Sequence, residues 1–125
     1  LDVNYFEKKV LFDLSNKFYD YSWETSKIKK SHITGKDFVS GYAMTNKYED
    51  FAESFTYYVM FNSDFSLKSQ ESEVLAQKYN FFSEYVFPDN SFVGTSFGKQ
   101  KVENYYWDIT KIDYFFENLL NYFQK

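Results

Sequence analysis

Apolar residues recur at helical spacing in four separate stretches, and that pattern confines the chain to a mostly α-helical fold. Val3, Phe6, Val10, Leu14, Phe18 and Tyr21 form the first stripe, an amphipathic helix of about five turns. Trp23 is expected to pack where that helix ends. Glu24 to Lys36 is polar, contains Gly35 and has no sustained period, which predicts a loop. Phe38 to Met44 is short and mixed and carries Gly41, which predicts an extended lead into the next helix. Asn46 or Thr45 offers the N-cap of that second helix. Its stripe is Tyr48, Phe51, Ala52, Phe55, Tyr58 and Val59, and Asn62 to Phe65 is expected to break it.

Ser66 or Ser69 is placed to cap a third helix with Leu75, Tyr79, Phe82 and Val86 on its core face. Pro88 stops it, because the residue before a proline is pushed out of the helical region. Asp89 to Trp107 contains Gly94 and Gly98 and reads as loop or extended chain. Asp108 or Thr110 starts a last helix, with Ile112, Phe115, Phe116, Leu119, Leu120 and Phe123 buried. The sequence contains no internal repeat, low-complexity block or linker. The expected architecture is one domain over residues 1–125, mostly α, with about four helices.

Composition narrows the function classes. Aromatic residues make up 25% of the chain, too much large apolar surface for a disordered tail. A net charge of -4 argues against nucleic acid, whose binding surfaces cluster Lys and Arg. The short basic groups at Lys27–Lys30 and Lys99–Lys101 read as solvated loop charge. With no cysteine, disulfide staples, thiol catalysis and Cys-based zinc sites are excluded. No apolar run approaches the roughly 20 residues that cross a bilayer, so membrane insertion is not expected. No signal peptide is visible. The first residue is Leu1, not Met, which suggests a processed product or an excised piece.

Tyr42, Glu49 and Glu53 do not fit a plain division into core and surface. On a helix, Glu49 and Glu53 lie four residues apart and share a face with the small residue Ala52. Like charges at that spacing call for a cation or a donor between them. Spacing alone also allows a plainer role. With Asn46 as N-cap, Glu49 takes the third helical position, where a capping box would use it. Glu49, Asp50 and Glu53 also lie near the positive end of the helix dipole.

The stretch Gly41-Tyr42-Ala43-Met44-Thr45-Asn46-Lys47-Tyr48-Glu49-Asp50-Phe51-Ala52-Glu53-Ser54-Phe55 resembles the C-terminal active-site segment of lethal-factor-like zinc metallopeptidases of the gluzincin type. The shared pattern is a Tyr, then Thr-Asn, then Glu, then Phe-Ala-Glu and a further Phe. The match is close over about fifteen residues and loose over the first ninety or so. The resemblance implies the C-terminal subdomain of a zincin-like peptidase. It implies Glu49 as third zinc ligand and Tyr42 as the Tyr that hydrogen-bonds a developing oxyanion. Glu53 is implied as an acceptor that orients a ligand His.

The resembled enzymes also need H-E-x-x-H on another helix, for two ligands and the general base. This chain has a single histidine, His32, with no such pattern, and it reads as a surface loop residue. In the resembled enzymes an Asp follows the second His by a few residues, and Asp2 matches it as a further partner for a ligand His. A helix N-terminal Asp is the equally simple reading of Asp2. The expectation is a metal helix just upstream of Leu1 in a larger parent. Zinc is expected in that parent and none in this chain alone. Its partners would be a peptide or protein substrate and the N-terminal portion of the same domain. The alternative is a non-catalytic helical protein-binding module on a degenerate peptidase scaffold. The compartment stays open, with a secreted or cell-surface parent as one expectation.

Overall fold

Alternating helices and tight turns organise residues 5–96, which the computed structural model describes. Helix α1 spans Tyr5–Tyr19, α2 Lys47–Met60, α3 Asn62–Ser69 and α4 Glu73–Phe81. Single 3₁₀ turns occur at Gly35–Asp37 and Tyr42–Met44, and α4 runs on into a widened π turn over Phe82–Val86. Among the described residues there is no strand, only one isolated antiparallel bridge between Trp23 and Lys29. The mostly helical expectation therefore holds. Asp2, the last helix expected after Asp108 and the stretch from 97 to 107 lie outside the described residues.

Helix α2 is the centre of the packing. Asn46 caps it from an extended backbone, its Oδ1 accepting from the amides of Tyr48 (3.0 Å) and Glu49 (2.9 Å). Every residue from Asp50 to Tyr58 is buried, so this helix is covered on all sides rather than along one stripe. Phe18 of α1 is fully buried against it. Its ring centroid lies 5.1 Å from Phe51, 5.4 Å from Phe81 and 5.6 Å from Phe82. Tyr58 stacks on Phe87 at 5.7 Å with the planes 7° apart. The aromatic surplus is thus spent largely on edge-to-face and stacked ring contacts in the core, which add stability beyond the area buried.

Three local expectations are corrected. The break expected from Asn62 to Phe65 is confined to Phe61, and α3 begins at Asn62. Asn62 helps to close α2, because its side-chain amide meets a carbonyl of that helix's last turn, and α3 restarts at once. Its Nδ2 donates to the Tyr58 carbonyl, and its Oδ1 accepts from the Tyr79 hydroxyl and the Gly94 amide. Second, the helix expected from Ser66 or Ser69 is two helices, and α4 is capped by Ser72, whose Oγ accepts from the Leu75 amide at 3.0 Å. Ser69 instead donates to the Ser66 carbonyl at the end of α3. Third, Phe38 to Met44 is not extended throughout, because Ser40 Oγ accepts from the Ala43 amide and folds the chain into the 42–44 turn. The stop before Pro88 is as expected: Phe87 leaves the helical region at φ -130° and ψ 65°.

Tyr58 yields a pH prediction. Its hydroxyl is buried with no close hydrogen-bond partner among the described residues, and burial pushes the phenol from 10.0 up to about 12. Nearby Tyr79 raises it further and Asn62 pulls it partly back. Between those two values the folded chain keeps a proton that the unfolded chain has released. This contribution is fully present below about pH 10 and is lost as the pH rises through about 12. Urea unfolding across that window is expected to show a steeper fall in stability for the wild type than for Tyr58→Phe. Equal slopes would contradict the assignment.

Candidate functional site

The 42–44 turn packs against α2, and this brings the three singled-out residues together. Tyr42 projects from the turn with 43% of its surface exposed. Glu49 stands in the first turns of α2, half-buried, and its Oε2 is shielded from solvent with no hydrogen-bond partner among the described residues. Glu53, one turn further on, is buried, and its Oε1 accepts from Ser40 Oγ at 3.2 Å. Ser40 thus serves both the turn that carries Tyr42 and the carboxylate of Glu53.

The groups are close enough to act on one another's titration. The Tyr42 phenol is pushed up by burial of its hydroxyl, then by the charges of Glu49 and Glu53, with a smaller contribution from hydrogen bonding to Glu49. Burial likewise pushes the Glu53 carboxyl up. The Ser40 bond opposes that shift and the Glu49 charge adds to it. The capping role that spacing allowed for Glu49 is not taken up. Asn46 caps with its own amide oxygen, and no reciprocal bond from the Asn46 N–H to Glu49 forms. Glu49 Oε2 is therefore a buried acceptor left over, and such atoms are uncommon enough to need a reason.

Such an oxygen is able to accept either a hydrogen-bond donor or a cation. An orphaned carboxylate oxygen beside a second acid and a phenol suits a divalent metal's single oxygen ligand. It is one ligand only: among the described residues no three His, Cys, Asp or Glu side chains converge to hold a metal. His32 is exposed, as expected for a loop residue.

A second polar cluster escaped the sequence reading. Asp50, the neighbour of Glu49, is fully buried and pairs with fully buried Lys78 of α4 at 2.9 Å. Trp23 Nε1 donates to Asp50 at 3.0 Å and Ser54 Oγ at 3.2 Å. Lys78 also donates to the Asp37 carbonyl at 2.7 Å, while Ser72 Oγ donates to the Asp37 carboxylate at 2.6 Å. Burial pushes Asp50 up and Lys78 down, and their mutual attraction pulls each back. The signal that was present is the i, i+4 pair Asp50 and Ser54 on the face of α2 away from solvent. Without its partner from α4, Asp50 looks like an ordinary first-turn acid.

Comparison with protein-family models, with curated proteins and with solved structures finds no match for the chain.

Proposed function

We propose that this chain is the C-terminal part of a zinc-dependent endopeptidase site, hydrolysing peptide bonds, in which Glu49 is the third metal ligand and Tyr42 the oxyanion donor. The observation that carries this reading is the buried, unbonded Oε2 of Glu49 next to Tyr42 and Glu53. On this reading the other two ligands and the general base would come from residues outside these 125, since the sequence has one histidine and no H-E-x-x-H. Zinc, when bound, acts as a Lewis acid toward the peptide carbonyl and lowers the pKa of water.

The remaining work falls to this chain's own groups. Glu49 contributes charge and a fixed oxygen. Tyr42 is a neutral phenol at physiological pH and donates its hydroxyl hydrogen to the carbonyl oxygen as negative charge builds there. Glu53 keeps acceptor capacity beyond its Ser40 bond and orients the ring N–H of a ligand His, as carboxylates around metal sites do. The half-exposed rings of Tyr42 and Tyr48 favour one second reading, a non-catalytic module that binds a protein partner.

Zinc analysis of the intact protein and of this chain alone separates them. The peptidase reading expects about one zinc per intact molecule and almost none in the isolated chain. Equally negligible zinc in both would overturn it and leave the binding module.

A further inference from the structure

Lys78 lies on α4, yet its oxygen partners lie on the two segments that carry the site. Its Nζ meets Asp50 Oδ2 at 2.9 Å, one residue beyond Glu49 on α2. The same Nζ donates to the Asp37 carbonyl at 2.7 Å, at the start of the stretch that leads through Ser40 to Tyr42. The Phe38 ring lies 4.1 Å from the ammonium. Lys68 of α3 adds a second anchor to that stretch by donating to the Val39 carbonyl at 2.8 Å.

We propose that Lys78 is a positioning residue. Its ammonium clamps the 37–42 stretch against the first turn of α2 and so fixes Tyr42 against Glu49. A buried ion pair is a weak way to stabilise a core, because desolvation offsets most of the attraction and an apolar side chain of similar volume serves as well. An apolar side chain cannot hold two oxygens from different segments at one point within hydrogen-bonding tolerance. Lys78 does that. The segments it joins carry Ser40 and Tyr42 on one side, and Glu49 and Glu53 on the other. The bearing of the clamp on catalysis rests on the peptidase reading above. The clamp itself does not.

The test is NMR of the full chain with isotope-labelled tyrosine Cζ, the Tyr42 signal being assigned by Tyr42→Phe. Glu49→Gln is expected to shift the Tyr42 signal in the otherwise wild-type chain, and no shift would overturn the proposal. In a Lys78→Met/Asp50→Asn background, which removes both buried charges, that shift is expected to fall to about half or less. Leu75→Ala opens the core on the same helix without touching the clamp, and there the shift is expected to persist even at a similar loss of stability. A full shift in the neutralised background overturns the proposal, since Lys78 would then stabilise the fold without placing the site. If the double substitution does not fold, Asp50→Ala alone, which removes one of the two oxygens, carries the same expectation and the same contradiction. No metal enters this readout. A zinc-free intact protein would sink the peptidase reading and leave the clamp standing, and an undiminished Tyr42 response would do the reverse.

Discussion

Lys78→Ala is expected to destabilise the fold by about 3–5 kcal/mol, measured by urea unfolding, because it strands the Asp50 carboxylate in the core. Asp50 is fully buried and, among the described residues, would keep Trp23 and Ser54 as its side-chain donors. Against a total stability of about 5–15 kcal/mol for an ordinary domain, that leaves a substantial unfolded fraction. Lys78→Met with Asp50→Asn is expected to recover much of the loss, since no buried charge then remains. A single alanine substitution within about 1 kcal/mol of wild type would mean that water reaches the pair.

Tyr42→Phe is expected to act on turnover alone. If the peptidase reading proposed above holds, kcat of the intact protein falls by about 10²–10³, the usual effect of removing one oxyanion donor. KM should change little, because the hydroxyl binds charge that exists only in the transition state. Stability should hold as well: the ring is retained and 43% exposed, so its loss of one hydroxyl leaves the core untouched. Steady-state kinetics on a peptide substrate, with a thermal melt of the same preparation, checks both. A fall in activity matched by a fall in stability would assign Tyr42 a packing role.

The helices were legible where a stripe and a cap coincide. Asn46 reads as an N-cap and is one, and the Phe51, Phe55 and Tyr58 face of α2 is buried. Pro88 marks a stop that the chain obeys. Polar residues with long-range partners misled the reading. Asn62 marks the end of α2 and meets its Tyr58 carbonyl, but bonds from Tyr79 and Gly94 hold it where α3 restarts after a single residue. Ser72 caps α4 although Ser66 and Ser69 look equally able, because a cap is chosen by where the backbone turns.

The site divides along the same line. Tyr42, Glu49 and Glu53 could be singled out together because of the resemblance, since on spacing alone Tyr42 is one Tyr among 13 and Glu49 a capping residue, and the fold brings them together. Ser40 and Lys78 could not. Ser40 is one serine among many until its bond to Glu53 is seen, and Lys78 lies twenty-nine residues beyond Glu49 on another helix. A residue whose role comes from tertiary contact leaves no period in the sequence.

The function proposed above depends on Glu49 as a metal ligand. Chelator competition on the zinc-loaded intact protein tests it most directly. Glu49→Gln is expected to weaken zinc binding by more than about 100-fold, and Glu53→Gln by about 10–100-fold, as befits a residue that orients a ligand. Zinc held by Glu49→Gln as tightly as by the wild type would contradict the account.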